Sequence, residues 1–229
     1  MEMNESVKAA LIALDLREGA TMNEVRAQYV EKTSANRFAW IFINDERLKK
    51  EFLKYHTAYL TLVRFYMENE GSAQFNILDY PRDQVLRIHI NQGVYHMINQ
   101  KYLNAGEKFQ EAYAVDNKNV TVLLYLGYLL LKRKSYVAAE KYFKDITNIE
   151  KDFDDAWYYL GECYFKAGEL KKALPMYNTA KLLNPQRSEI AFRIKEINEK
   201  LGLMPNGRGN SKTRKSSSLS NLLKRIFKS

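Results

Sequence analysis

The chain has 229 residues, 46% hydrophobic and 28% charged, with four prolines, ten glycines and one cysteine. That is enough chain for one large or two small domains with a real core; the scarcity of turn formers argues against a β architecture, and a lone cysteine rules out an intramolecular disulfide framework. The net charge of +9 is local: seven of the 36 Lys and Arg, and no Asp or Glu, lie within 203–229, so the rest carries 29 basic against 27 acidic side chains and does not read as a nucleic-acid-binding body.

The first residues place no basic run ahead of an apolar one, so no signal peptide is expected. Residues 5 to 66 read as three helices. The first runs from Glu5 to Leu16 and is closed by Arg-Glu-Gly-Ala. Thr21 and Glu24 form a capping-box signature for the second. The third begins near Asn44 or Asp45 and carries Leu48, Phe52, Tyr55, Tyr59, Leu62 and Val63 at helical spacing. Phe38, Trp40, Phe42 and Ile43 are assigned to the core, because aromatic residues at this density pack.

Within this stretch Leu14, Leu16, Gly19, Ala20, Thr21, Glu24, Val25 and Tyr29, with Phe52, Ala58, Tyr59 and Leu62, resemble a J-domain, the DnaJ-type co-chaperone module. The resemblance implies a three-helix bundle over 1–66. A working J-domain carries His-Pro-Asp after its second helix to engage a DnaK-type ATPase. Here Arg37-Phe38-Ala39 stands in that place, which implies a J-like fold without the ATPase-stimulating chemistry. The alternative is a plain helical bundle capping the second half of the chain. Residues 67–84, with Glu-Gly-Ser and Tyr-Pro-Arg, read as a linker.

The second half repeats. Gly93, Gly127 and Gly161 are spaced by 34, as are Ala105, Ala139 and Ala173, and Phe109, Phe143 and Tyr177; Ala112, Ile146 and Ala180 continue the register. The third unit carries Trp157, Leu160, Gly161, Tyr164, Gly168, Ala173, Tyr177, Ala180 and Pro185. This pattern resembles the tetratricopeptide repeat and implies three helix pairs stacked over 85–202 as an α-solenoid. The small residues let paired helices approach and the large ones fill the layer between units. Ser188 to Leu201 reads as a closing helix, with Ser188 as N-cap and Ile190, Ile194, Ile197 and Leu201 as its apolar stripe. The expected fold is therefore all-α throughout.

No catalytic constellation stands out, and the chain does not read as an enzyme. His89 and His96 are seven apart on one helix, about 10 Å along its axis, too far to share a metal. Cys163 has no second Cys or nearby His. Asp152, Asp154 and Asp155 suit a helix N-terminus, and the Gly-containing run at 206–210 follows no strand. No cofactor and no metal are expected.

The resemblance to the repeat family implies a concave groove lined by the first helix of each unit. By position it would hold Ile90, Val94, Met97 and Ile98, then Leu124, Tyr128 and Leu131, then Tyr158, Glu162 and Phe165. Some chaperone-binding members hold a C-terminal carboxylate there with Lys and Asn; the corresponding places here are Ile90, Val94, Tyr125, Asp155 and Tyr159, so that clamp is absent. An apolar, aromatic groove suits an amphipathic helix or an extended segment of a protein partner. The competing reading is that the N-terminal bundle or an added helix already covers part of it.

Residues 203–218 are rich in Gly, Asn, Ser and Lys and read as a disordered basic linker. Over 219–229, Leu219, Leu222, Leu223, Ile226 and Phe227 fall on one helical face, and Lys224, Arg225 and Lys228 on the other. So short a helix needs a surface to fold on. An anionic membrane surface is the first candidate, a partner protein the second and nucleic acid the third. The longest uncharged apolar stretch, Val120 to Leu131, is about twelve residues, below the roughly twenty of a membrane span. The expected location is therefore cytoplasmic, peripheral at the inner membrane surface if the tail binds lipid. The expected function is a non-enzymatic adaptor or scaffold binding a protein segment in the groove. The alternatives are a co-chaperone acting through the J-like domain and a nucleic-acid-associated protein acting through the tail.

Overall fold

The computed structural model describes residues 3–34, 45–70 and 80–203. Among them lie ten helices and no strand. Three form an N-terminal bundle: α1 (Glu5–Ala13), α2 (Met22–Ser34) and α3 (Glu46–Glu70). Each starts on a side-chain cap, which satisfies backbone N–H groups that have no partner within the helix. Asn4 Oδ1 accepts from Val7 N at 2.9 Å. Thr21 N donates to Glu24 Oε2 at 2.7 Å while Glu24 N donates to Thr21 Oγ1 at 3.3 Å, the reciprocal pair expected of the capping box. Asp45 Oδ1 accepts from Leu48 N at 3.1 Å. The first helix ends at Ala13 rather than Leu16, because Asp15 turns the chain with φ +55, a left-handed conformation that Asp tolerates better than most residues. The bundle core contains Leu11, Leu14, Val25, Tyr29, Tyr59 and Leu62. Tyr29 stacks on Tyr59 at 4.2 Å between ring centroids.

The stretch 67–84 is helical at both ends, since α3 runs to Glu70 and the next helix opens at Arg82. The expected linker is thus shorter than the Gly, Ser and Pro punctuation suggested. The assignments of Phe38, Trp40, Phe42 and Ile43 to the core, and of Arg37-Phe38-Ala39 to a loop, fall outside the described residues.

Three helix pairs come next: α4 (Arg82–Ile98) with α5 (Tyr102–Val115), α6 (Val120–Lys132) with α7 (Tyr136–Ile149), and α8 (Asp154–Lys166) with α9 (Leu170–Leu183). The 34-residue register is physical. A Cβ placed on Gly93 would lie 2.4 Å from the Phe109 ring, on Gly127 2.8 Å from Phe143, and on Gly161 3.0 Å from Tyr177. Each glycine is therefore the seat of the aromatic residue sixteen places on. The turns repeat as well. Gln100, Lys134 and Gly168 all take positive φ, and the amides of Lys101, Ser135 and Glu169 bond back to the carbonyls of His96, Leu130 and Tyr164 at 2.8–2.9 Å. That closure satisfies carbonyls left over at a helix C-terminus.

Units join through rings. Phe109 stacks on Tyr125 at 4.6 Å and Phe143 on Tyr159 at 5.4 Å. The last helix, α10 (Ser188–Lys200), buries Ile190 and Ile197 in the core shared with Tyr177 and Ala180. Ser188 is its first helical residue; the N-cap is Arg187, and no side chain caps it. The assignment of Ser188 as N-cap is corrected accordingly.

The N-terminal bundle packs on the first helix pair. Phe52 of α3 shares a core with Val94 and Met97 of α4, the His56 ring stacks on Tyr95 at 4.4 Å, and Asn91 Nδ2 donates to Thr33 Oγ1 at 2.7 Å.

Candidate protein-binding cleft

The first helices of the three units, α4, α6 and α8, carry the residues assigned to the groove, and packing divides them. Val94 and Met97 are buried beneath α3 by contact with the Phe52 core, and Leu124 is buried between units. Met97 and Leu124 supply packing rather than open surface, which corrects their assignment, whereas Val94, though buried, forms part of the wall of a cavity. Ile90 lines a separate cavity of about 480 Å³ beside Phe52, Thr33 and Tyr125. Phe165 lies under α10, with the Arg193 guanidinium 4.8 Å and Lys200 Nζ 4.9 Å from its ring. Both ends of the expected groove are thus covered, one by the bundle and one by α10. Residues 219–229, with Leu219, Leu222, Leu223, Lys224, Arg225, Ile226, Phe227 and Lys228, lie outside the described residues.

Tyr128, Leu131, Tyr158 and Glu162 are brought together. They line a cleft of about 410 Å³ between α6, α8 and the start of α10, with Tyr159, Tyr136, Lys132, Lys134, Lys166, Arg187 and Glu189. Its floor is aromatic. Tyr159 meets Tyr128 edge-on at 5.8 Å and Tyr158 edge-on at 5.2 Å. Such contacts hold the rings in fixed orientations.

Glu162 is buried, and a buried carboxylate is costly unless paired. It accepts from Tyr177 Oη at 2.6 Å and from Arg193 Nε at 2.7 Å. Glu162 is therefore a structural anchor for α10, with both bonds directed into the fold. Arg187, beside Asp155 at 2.5 Å, lies 4.0 Å over the Tyr158 ring. Burial raises the Asp155 carboxyl above its ordinary value and Arg187 opposes that rise. Lys132 Nζ stands 5.2 Å from the Tyr128 ring.

The sequence reading missed Lys132, Lys134, Lys166 and Arg187. The signal was present for two of them, since Lys132 and Lys166 are 34 apart and each follows a residue named for the groove. Elsewhere, His89 Nδ1 faces Glu111 Oε2 at 2.8 Å, a contact between the two helices of the first unit. Burial raises the Cys163 thiol to about 12, which leaves it protonated and poorly nucleophilic. Among the described residues no group of three His, Cys, Asp or Glu is placed to hold a metal, and no helix is long and apolar enough to cross a membrane.

Tetratricopeptide-repeat family models match residues 90–152 and 130–192. Solved structures with a similar fold include the Arabidopsis OM64 TPR domain, at 17% identity and TM-score 0.50 over 52% of this chain and 98% of that one. The first TPR of Spaghetti (RPAP3) bound to the HSP90 peptide SRMEEVD matches at 17% identity and TM-score 0.50, over 51% and 93%. MamA of AMB-1 matches at 13% identity and TM-score 0.56, over 79% and 89%. No curated protein matches the sequence. The chain carries tetratricopeptide repeats.

Proposed function

We propose that this chain is a non-enzymatic adaptor that holds a segment of a partner protein in the cleft between α6, α8 and α10. The observation that carries the reading is the floor of that cleft. Tyr128 and Tyr158 are half-buried and held edge-on against Tyr159. Rigid tyrosines of this kind give contact area at low entropic cost, which suits them to binding a peptide. The similar RPAP3 domain is bound to an HSP90 peptide, which supports peptide binding as the use of the fold. The partner here differs from that peptide, because Ile90, Val94, Tyr125, Asp155 and Tyr159 stand where a carboxylate clamp would be.

The N-terminal bundle serves as an extension of the array. It shares the Phe52 core with the first unit. The likeness to MamA spans 79% of the chain, more than the half that the helix pairs and α10 occupy, so it takes in part of the bundle. That favours the capping bundle over the J-like co-chaperone. The tail at 219–229 would tether the adaptor to a surface, a role that rests on its apolar and basic faces in the sequence.

The test is selection of displayed random peptides on the full chain. Peptides should be enriched on the wild type and lost on Tyr128→Ala, with helicity and melting retained. Equal capture by both proteins would remove the cleft as the site.

A further inference from the structure

We infer that the cleft takes an acidic internal segment of its partner and rejects this chain's own basic tail; the inference rests on the groove reading above. It comes from the balance of charges around the cleft. Of the two carboxylates that line it, Glu162 is buried and bonded, and Glu189 is exposed with only a long contact to Arg187. Glu162 is held by Arg193 and Tyr177, and Glu189 faces Arg187 at 3.9 Å. Arg187 is in turn held by Asp155. Three cations remain. Lys132, Lys134 and Lys166 are exposed and line the cleft, and none has a carboxylate within ion-pair distance among the described residues.

Exposed lysines outside any ion pair among the described residues also occur on the second helices, as at Lys141, Lys171 and Lys181; what sets Lys132, Lys134 and Lys166 apart is that all three line one cleft. The bland account of the cleft lysines is the helix dipole, which favours a cation in the last turn. It serves Lys132 and Lys166, which close α6 and α8. Lys134 follows the C-cap of α6 at φ +61, where the third unit has Gly168, so the turn itself does not call for a lysine there. The other cavity also carries charge, but of mixed sign, with Asp83, Asp116 and Glu150 beside Arg87 and Lys118. The tyrosine cleft carries four cations, Lys132, Lys134, Lys166 and Arg187, against two carboxylates, Glu162 and Glu189, so its balance is basic where that of the other cavity is not.

Complementary charge of this kind sets partner choice and association rate. An Asp- or Glu-bearing segment would lay apolar side chains on the tyrosines and carboxylates along the three lysines. The basic peptide 219–229 carries Lys224, Arg225 and Lys228 and no acid, so it meets like charge there. The positions of the lysines favour side-chain carboxylates within a segment over a free chain end, whose clamp positions hold apolar residues and Asp155.

The experiment uses the full chain and a random library displayed with its peptide C-termini blocked. Peptides selected on the wild type should be enriched in Asp and Glu. On the triple variant Lys132→Gln, Lys134→Gln, Lys166→Gln that enrichment should vanish while peptides are still selected. A selected acidic peptide should bind about tenfold more weakly to the triple variant, with a smaller salt dependence. Synthetic 219–229 should not displace it. Selected peptides without acid enrichment, enrichment unchanged on the triple variant, or displacement by 219–229 would overturn the inference and leave the groove reading standing. Recovery of no peptides at all would overturn both.

Discussion

One methyl group measures how closely the helix pairs approach. In Gly93→Ala the added Cβ would lie 2.4 Å from Phe109, a ring with no exposed surface. Overpacking of this kind costs about 1–3 kcal/mol. Gly161→Ala brings the Cβ only to 3.0 Å from Tyr177. A displacement of a few tenths of an ångström relieves that, and alanine returns about 0.8–1.0 kcal/mol of helix propensity. Urea unfolding should therefore show a clear loss for Gly93→Ala and near neutrality for Gly161→Ala. These positions were legible in the sequence, because a glycine that recurs every 34 residues at a constant distance from an aromatic marks a close approach of two helices. The same register does not separate Val94 and Leu124, which pack inward, from Tyr128 and Tyr158, which line a cleft. All four share it; Val94 is covered by Phe52 from outside the repeat, and Leu124 by the neighbouring unit. The cleft lysines escape an apolar register altogether, since their charge places them off the stripe that defines it.

The contact of α3 with α4 links the bundle to the array and makes stability depend on pH. His56 is buried, with Nδ1 2.6 Å from Tyr29 Oη and its ring between Phe52 and Tyr95. Burial, with a smaller contribution from the charge of His96, lowers its pKa to about 4 from the ordinary 6.5. Between those values the unfolded chain binds a proton that the folded chain refuses, so stability is full above pH 6.5 and falls as pH drops toward 4. The loss attributable to His56 is of order 3 kcal/mol. His89 and His96 are also lowered by burial and act in the same direction. Urea midpoints should fall between about pH 7 and pH 4, and His56→Gln should flatten the fall. A wild-type midpoint that falls no more steeply with pH than that of His56→Gln would contradict this account. Local signals gave these elements well where capping was explicit, as at Thr21 and Glu24. They gave the ends poorly where tertiary contacts decide, as at Glu70 and Arg82.

At the scale of the molecule, the bundle and α10 pack on the two ends of the array, with the tyrosine cleft between them. Tethering, if the tail supplies it, is separable from that cleft. A peptide of residues 203–229 should gain helicity with anionic vesicles and less with neutral ones. Leu223→Glu should abolish the gain by placing a charge in the apolar face, and salt should weaken it. Near-indifference to Leu223→Glu with a steep salt dependence would instead favour nucleic acid, whose phosphates need only the basic residues. The measurement that bears most directly on the central claim is hydrogen exchange of the full chain with and without a peptide selected on it. Slowed exchange is predicted at the C-terminal turns of α6 and α8 and the first turn of α10, around Tyr128, Leu131 and Glu162, with the second helices α5, α7 and α9 unchanged. Protection confined to the N-terminal bundle or to the second helices would contradict the account.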